Sequence, residues 1–217
     1  MAAAISLAGA DPARARAGLV LVHGRGATAD GILDLGHALG LPDLALVAPQ
    51  APGMTWWPTS FLAPTAQMEP FVDRGMAAID TAIAMLVDKG VPSDGIALAG
   101  FSQGGCLALE YAARRGGLAA VFGLSAGLVG TGDADGGPQE ALYGFGPKAF
   151  DYATRLDGTP VEITVHERDP HIPLKRAEDS EAVFARLGAR ARLTVTPGAG
   201  HGIGPEAVAA MRGHLNV

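Results

Sequence analysis

Residues 99–105 read Ala-Gly-Phe-Ser-Gln-Gly-Gly, so that Ser102 stands between Gly100 and Gly104. A short apolar run comes directly before this stretch, and a segment with the composition of a helix comes directly after it. Strand, sharp turn and helix form the context in which the pattern G-x-S-x-G presents a serine hydroxyl at the tip of a sheet. Both glycines are needed because the serine backbone is strained and flanking side chains would collide with the strand and the helix. Ser102 is therefore a candidate nucleophile.

A second match to the same pattern surrounds Ser125, in the sequence Gly-Leu-Ser-Ala-Gly at residues 123–127. It also follows an apolar run, but the residues after it are rich in glycine and aspartate and cannot form a helix. Without a helix, no N-terminal turn of backbone N–H groups lies beside the hydroxyl. We therefore assign the nucleophile to Ser102 and expect Ser125 to end a neighbouring strand.

Short apolar runs alternate with amphipathic stretches along the chain. The predicted strands cover residues 19–22, 44–48, 96–99, 119–124, 161–165 and 192–196, and the predicted helices cover 29–39, 69–87, 104–114, 174–187 and 205–214. Such alternation is typical of an α/β fold with a mostly parallel central sheet and helices on both faces. Binding and catalytic residues of these folds lie at the carboxyl ends of the strands. With no linker and no internal repeat, residues 1–217 are predicted to form a single domain.

The composition narrows the classes of function. The chain has 217 residues, of which 48% are hydrophobic and 18% are charged, with a net charge of −6 and a pI near 5.4. The acidic balance and the lack of a basic stripe argue against nucleic acid as a partner. No run approaches the ~18 apolar residues of a membrane span, so no stable membrane association is expected. No group of Cys and His has metal-ligand spacing, and neither a metal nor another cofactor is expected.

The chain contains one cysteine, Cys106, which excludes a disulfide within it. Residues 1–10 end in small residues like a secretion signal but lack a positively charged start. Both observations favour a cytoplasmic protein. Cys106 lies one helical turn beyond Ser102, too far along the predicted helix to be the nucleophile, and is expected to be a small buried hydrophobe.

Two later strand ends supply candidates for a general base and the acid that orients it. The strand at 192–196 runs into a glycine-bracketed histidine, His201, and the strand at 161–165 runs into Asp169, which precedes a proline. The order serine, acid, histidine is the one found with a nucleophile elbow. Glu167 is a rival to Asp169, but the Asp-Pro turn directs the carboxylate sideways out of the strand, so Asp169 is preferred.

The strand at 19–22 ends in His-Gly-Arg-Gly at residues 23–26. Glycines let the backbone approach a bound molecule, and the N–H groups of Arg25 and Gln103 are predicted to form an oxyanion hole. A glycine-rich turn without such a role is the alternative interpretation. His23 is expected to brace the turn by hydrogen bonding. The Arg25 side chain is expected to be solvated or to meet an anionic group of the substrate.

Two stretches of the chain are irregular. Residues 131–148 are rich in glycine and aspartate and are predicted to be mobile or to leave the edge of the sheet. Residues 49–64 contain both tryptophans, and four apolar side chains among them are candidates for substrate binding: Trp56, Trp57, Phe61 and Leu62. These four either wall an acyl or aryl pocket beside Ser102 or cap the edge of the sheet, and both interpretations stand at this point.

Five motifs follow one another in the chain: His-Gly-Arg-Gly, Pro-Gln-Ala-Pro, Gly-Phe-Ser-Gln-Gly-Gly, Asp-Pro-His-Ile-Pro and Gly-Ala-Gly-His-Gly. Their order and spacing resemble the phospholipase/carboxylesterase family of α/β-hydrolases, to which the acyl-protein thioesterases belong. The resemblance spans nearly the whole chain. It implies an α/β-hydrolase core without a separate cap domain that cleaves carboxylic esters or thioesters without a metal. It also implies a catalytic triad of Ser102, Asp169 and His201, with the backbones of Arg25 and Gln103 as oxyanion donors.

The sequence thus predicts a serine carboxylesterase that cleaves small to medium acyl or aryl esters through an acyl-enzyme intermediate. An acyl-protein thioesterase or lysophospholipase is the alternative, disfavoured because that branch of the family usually has an apolar residue where Arg25 stands. A ligand-binding α/β-hydrolase without activity is a more distant alternative, disfavoured because every triad position is filled. The expected partner is a small-molecule ester substrate. By analogy with the family, a second copy of the chain is also expected as a partner in a homodimer.

Overall fold

Seven strands form one sheet in the computed structural model, which describes residues 4–216. The strands are β1 (Ile5–Gly9), β2 (Ala17–Val22), β3 (Leu44–Pro49), β4 (Ile96–Phe101), β5 (Val121–Leu124), β6 (Pro160–Arg168) and β7 (Arg190–Ala199). Their order across the sheet is β1-β3-β2-β4-β5-β6-β7. β1 pairs antiparallel with β3, and every other pair of neighbours is parallel. The inner strands are buried on both faces, which is why they appear in the sequence as unbroken apolar runs.

Five α-helices in the same part of the chain cover the sheet: α1 (Ala29–Ala38), α2 (Thr65–Asp88), α3 (Gln103–Arg115), α4 (Leu174–Arg186) and α5 (Pro205–Leu215). α1 and α5 pack on one face, where Ile32 and Met211 belong to a buried apolar cluster. α2, α3 and α4 pack on the other face, where Met68, Leu107 and Phe184 belong to a larger one. The predicted α/β fold, a mostly parallel sheet with helices on both faces, is confirmed. Among residues 4–216, no helix has both the length and the hydropathy needed to cross a membrane.

The other predicted elements differ from the structure by one to three residues at their ends, and two elements differ by more. Strand β1 is absent from the predicted elements because Ser, Ala and Gly separate or follow its only two large apolar side chains, yet it pairs with β3 along its whole length. Helix α2 begins at Thr65 rather than at Glu69 and continues through Pro70. The proline removes one backbone hydrogen bond, which a helix of 24 residues withstands. Residues 1–3 and 217, which belong to the predicted single domain, lie outside the described residues.

The turn between β4 and α3 brings backbone segments into direct contact. A Cβ atom on Gly104 would lie 2.1 Å from the carbonyl oxygen of Val22, and one on Gly100 would lie 2.2 Å from the carbonyl oxygen of Gly104. Between them, Ser102 has φ 54° and ψ −120°, a backbone conformation that residues with a side chain rarely adopt. Its N–H donates to the carbonyl of Leu124 at 2.8 Å, which anchors the turn to β5. The sharp strand-to-helix turn expected from G-x-S-x-G is therefore present.

Gly104→Ala is expected to destabilise the fold, because the added methyl group would meet backbone atoms of β2 that cannot move aside. We expect the free energy of unfolding to fall by about 3 kcal/mol in urea titrations followed by circular dichroism. Gly213→Ala is the matched control, since Gly213 lies in α5, where an added Cβ would meet nothing within 4 Å. That variant should gain up to about 1 kcal/mol of helix propensity. Similar unfolding free energies for the two variants would contradict the close approach.

Candidate active site

Three side chains from separate strand ends meet above the sheet. Ser102 follows β4, Asp169 follows β6 and His201 follows β7. The Nε2 atom of His201 lies 2.8 Å from the Oγ atom of Ser102, and its Nδ1 atom lies 2.8 Å from Oδ2 and 3.0 Å from Oδ1 of Asp169. β4, β5, β6 and β7 are adjacent and parallel, so their carboxyl ends lie along the same edge. One imidazole thus connects a hydroxyl to a carboxylate, in the geometry a general base requires.

The Asp169 carboxylate is buried behind His201. Its side chain has no exposed surface, and its Oδ1 atom accepts hydrogen bonds from the backbone N–H groups of His171 at 2.8 Å and Ile172 at 3.0 Å. Burial by itself would raise the pKa of this carboxyl, but the bonds from His201, His171 and Ile172 outweigh burial and hold the pKa below its usual range. Asp169 is therefore ionised at neutral pH, as an orienting acid must be.

Glu167, the rival acid, lies away from this cluster. Its carboxylate is exposed and accepts a hydrogen bond from the backbone N–H of Gly198 at 3.1 Å, with Arg168 3.2 Å away. The difference between the two acids is positional. Glu167 is still within β6, whereas Asp169 is the first residue after the strand. Of these two acids, only Asp169 contacts His201.

The predicted oxyanion donors lie on the two loops that border Ser102. Gln103 is the first residue of α3, and Arg25 lies in the turn that follows β2. Neither backbone N–H has a hydrogen-bond acceptor within residues 4–216, as expected for groups at a helix start and in an open turn. Both residues line the same cavity as Ser102. The arrangement supplies two free N–H groups beside the hydroxyl, and their role as an oxyanion hole stays a proposal.

The Gln103 side chain makes contacts that the sequence did not reveal. Its Oε1 atom accepts a hydrogen bond from the backbone N–H of Trp56 at 2.8 Å, and its Nε2 atom donates to the carbonyl of Trp57 at 2.8 Å. The indole N–H of Trp56 in turn donates to the carbonyl of His23 at 2.8 Å. The buried amide therefore holds the loop that contains Trp56 and Trp57, called the tryptophan loop below, at the start of α3. No local pattern signals this, because the partners are more than forty residues apart.

His23 braces the turn after β2, as expected. Its Nδ1 atom lies 2.8 Å from the carbonyl of Gly24, and its Nε2 atom accepts the backbone N–H of Ala51 at 3.1 Å. Burial lowers the pKa of this imidazole, against a smaller opposing effect of the Gly24 hydrogen bond. A neutral ring can donate from one nitrogen and accept at the other, which is what these two contacts require. His23 therefore holds the turn and does not line the cavity that borders Ser102.

A cavity of about 640 Å³ opens over Ser102 and His201. Of the four predicted pocket residues, Trp57 and Phe61 line it and Trp56 and Leu62 do not. The prediction requires correction for the latter two. The Trp56 indole is engaged with the turn after β2, and Leu62 is fully buried in the larger apolar cluster. Trp57 and Phe61 therefore lie where the pocket interpretation expected them, and Trp56 and Leu62 are core residues.

Residues outside the predicted set also line the cavity, among them Phe101, Cys106, Tyr143 and Ile172. Tyr143 belongs to the irregular stretch 131–148, whose sequence favoured a mobile or edge segment. The stretch instead reaches the site, because the Tyr143 hydroxyl donates to the backbone carbonyl of Asp169 at 2.8 Å. Tyr143 adopts a left-handed backbone conformation with φ 55°, and it is among the residues that line the cavity. Glycine content alone could not indicate this contact.

Ser125, the centre of the second G-x-S-x-G match, has a structural contact. It follows β5 directly, as predicted, and is fully buried. Its hydroxyl donates to the carbonyl of Gly202 at 2.9 Å, next to His201. No helix begins directly after it, and the next α-helix is α4 at Leu174, so its hydroxyl does not lie at a helix N-terminus. Ser125 supports the loop that carries the histidine.

Comparison with known proteins identifies the family. Residues 7–140 match the model of the phospholipase/carboxylesterase family, and the chain belongs to that family of hydrolases. The structure of a phospholipase/carboxylesterase from Dyadobacter fermentans DSM 18053 is 30% identical, with a TM-score of 0.85 over 100% of this chain and 97% of that one. Esterase PE8 is 23% identical, with a TM-score of 0.76 over 100% and 99%. A carboxylesterase from Mesorhizobium loti is 18% identical, with a TM-score of 0.68 over 94% and 91%. The resemblance drawn from five short motifs is thus confirmed, as is the α/β-hydrolase fold.

Replacing the Gln103 side chain is expected to loosen the tryptophan loop. Gln103→Ala would leave the buried N–H of Trp56 and carbonyl of Trp57 without their partner, at a cost of about 2 kcal/mol in the free energy of unfolding. Gln67→Ala is the matched control, because Gln67 is exposed in α2 and should change stability by less than about 0.5 kcal/mol. Urea unfolding measures both. An unchanged stability of Gln103→Ala would show that the amide does not hold the loop.

The thiol of Cys106 is expected to be unreactive although Cys106 is among the residues that line the cavity. It is fully buried, and burial raises its pKa to about 12, so little thiolate exists at pH 8. Iodoacetamide should modify the folded protein far more slowly than the urea-unfolded protein, as followed by mass spectrometry. Equal rates of modification would mean that Cys106 is accessible and would reopen it as a candidate nucleophile.

Proposed function

We propose that this member of the family is a serine carboxylesterase that cleaves small to medium acyl or aryl esters. The observation that carries the proposal is the pair of 2.8 Å hydrogen bonds that His201 makes, one with the Ser102 hydroxyl and one with the Asp169 carboxylate. A hydroxyl, an imidazole and a buried carboxylate in this order form the triad of acyl-transfer enzymes. The esterase names of related proteins agree with this reading of the geometry.

The proposed reaction begins when the Ser102 oxygen attacks the carbonyl carbon of the ester. His201 takes the hydroxyl proton at Nε2, while Asp169 holds the Nδ1–H and stabilises the imidazolium that forms. The negative oxygen of the tetrahedral intermediate accepts hydrogen bonds from the N–H groups of Arg25 and Gln103. His201 then gives its proton to the leaving alkoxide, and the acyl group remains on Ser102.

Hydrolysis of the acyl-enzyme repeats these steps with water. His201 takes a proton from the water as it attacks the acyl carbon, and it returns the proton to the Ser102 oxygen when that oxygen leaves. The carboxylic acid is released and the free enzyme is restored. No step needs a cofactor, because proton transfer and charge stabilisation are supplied by the chain.

The cavity supports the proposed size of the substrate. A volume of about 640 Å³ is within the usual range for small-molecule sites. Trp57, Phe61, Phe101 and Ile172 give it apolar walls that suit an acyl chain or an aryl ring. The polar groups of the proposed reaction, Ser102, His201 and the N–H of Gln103, lie together on one side of the cavity. A pocket of this size favours small-molecule esters over large macromolecular substrates.

The test is hydrolysis of p-nitrophenyl esters from acetate to laurate by the wild type and three serine variants. Ser102→Ala should lose about four to six orders of magnitude in kcat. Ser125→Ala should lose far less activity than Ser102→Ala, because it removes one hydrogen bond to the loop of His201 but no group that lines the cavity. Ser93→Ala, an exposed serine before β4, is the inert control. The chain length with the highest kcat/KM measures the depth of the pocket.

Two outcomes would overturn the proposal. Turnover that survives in Ser102→Ala but is lost in Ser125→Ala would show that Ser125, and not Ser102, is the nucleophile. No turnover of any oxygen ester by the wild type, with rapid cleavage of the matching acyl thioesters, would favour the thioesterase branch of the family.

A labelling experiment with a fluorophosphonate, which modifies activated serines, should give one adduct in the wild type and none in Ser102→Ala.

A further inference from the structure

The Arg25 guanidinium is fastened to the wall of the cavity by neutral groups. Its Nη1 atom donates to the carbonyl of Pro58 at 3.0 Å, and its Nη2 atom donates to the carbonyl of Thr59. Arg25, Pro58 and Thr59 all line the cavity over Ser102. Carbonyl acceptors hold the group in place but leave its positive charge uncompensated. The side chain is exposed to solvent, and these two hydrogen bonds hold its cation against the cavity wall.

No acidic side chain balances this charge. Within residues 4–216, no carboxylate lies within 4.0 Å of the Arg25 guanidinium, and no Asp or Glu is among the residues that line the cavity. The side chain of Asp169 is fully buried behind His201 and does not line the cavity. Among the described residues that line the cavity, Arg25 is therefore the one with a permanent charge, although the net charge of the chain is −6. A positive charge in a cleft attracts an anionic group locally.

The guanidinium also has donors to spare. Arginine has five N–H donors, and two of them are used by the carbonyls of Pro58 and Thr59. The remaining three can bind the two oxygens of a carboxylate in a bidentate pair. Because the side chain is already ordered, binding does not need to restrict its rotamers, which lowers the entropic cost.

We propose that the substrate of this site is an ester that carries a second, anionic group, a carboxylate, and that the Arg25 guanidinium binds it. The inference rests on the proposed esterase function and narrows its substrate class. The ester carbonyl lies at Ser102, between the two backbone N–H donors, while the carboxylate lies at the wall formed by Arg25 and the Pro58–Thr59 segment. Arg25 then serves the site twice, through its backbone at the ester and through its side chain at the anion.

The competing explanation is that Arg25 acts as a latch. Its two hydrogen bonds join the turn after β2 to the loop that contains Trp57 and Phe61, so removing them would disturb both walls of the cavity. A latch affects neutral and anionic substrates alike, since both need the same walls. An anion-binding residue affects the two classes differently. The ratio of kcat/KM for anionic and neutral esters of the same shape separates the two explanations.

The experiment uses two matched pairs of esters with the wild type, Arg25→Gln and Arg25→Lys. In the first pair, mono-p-nitrophenyl adipate is compared with the neutral ester in which an isopropyl group replaces the terminal carboxylate. In the second pair, 4-carboxyphenyl butyrate is compared with 4-isopropylphenyl butyrate, which moves the charge to the leaving group. Thermal unfolding of both variants checks that they are folded. The pairs show whether the acyl side or the alcohol side of the substrate meets Arg25.

We expect the wild type to prefer the anionic ester in at least one pair, and Arg25→Gln to lower that preference about tenfold. Arg25→Lys, which keeps the charge but not the fork of donors, should retain part of it. Added salt should reduce the wild-type preference and leave that of Arg25→Gln unchanged.

An equal loss on both members of each pair, or a wild type indifferent to the carboxylate, would overturn the inference and leave Arg25 as a latch. Either result leaves the proposed esterase intact, provided that the neutral esters are hydrolysed in a manner that depends on Ser102. Absence of any ester hydrolysis by the wild type would instead overturn the proposed function and this inference with it.

Discussion

Backbone contact among β2, β4 and α3 is the constraint on which the rest of the structure depends. Any side chain at Gly100 or Gly104 would come within 2.2 Å of a backbone oxygen, so α3 can begin over the end of the sheet only because both positions lack one. The strained conformation of Ser102 persists because the surrounding structure determines it from two sides. Its N–H donates to Leu124, and its carbonyl accepts the N–H of Cys106. The same approach leaves the first N–H groups of α3 open toward the cavity.

The loops around this turn are held by hydrogen bonds to groups that carry no charge. The Gln103 amide binds the backbone of Trp56 and Trp57, and the neutral His23 ring binds the backbone of Gly24 and Ala51. Such bonds keep their geometry when pH or ionic strength changes, whereas exposed ion pairs do not. Catalysis by charge stabilisation needs donors that are oriented before the substrate arrives. In the proposed mechanism, a network of buried amide and imidazole contacts provides that orientation.

Charge is distributed unevenly along α3 and its neighbours. At the far end of the helix, the buried Glu110 lies 2.8 Å from Arg114 and 3.4 Å from Lys148, so its charge is compensated by two cations. At the near end, the cavity contains the cationic Arg25 without an acidic partner, and the one carboxylate close by is committed to His201. Pairing suits a structural cluster, because an isolated buried charge is costly. An unpaired cation on a cavity wall suits the recognition of an anion.

The sequence by itself determined the alternation of strands and helices, the turn at Ser102, and the strand ends that supply Asp169 and His201. Each of these is written in a local pattern, since burial on both faces requires apolar runs and the close turn requires glycine. Only the tertiary structure decided which loop side chains face the cavity. Trp57 does and Trp56 does not because contacts with Gln103 and His23, distant in the chain, fix the orientation of the loop. Tyr143 reaches the site through one hydrogen bond to the backbone of Asp169. Loop side chains have no periodicity from which their direction could be predicted, and their orientation follows from tertiary contacts and hydrogen bonds.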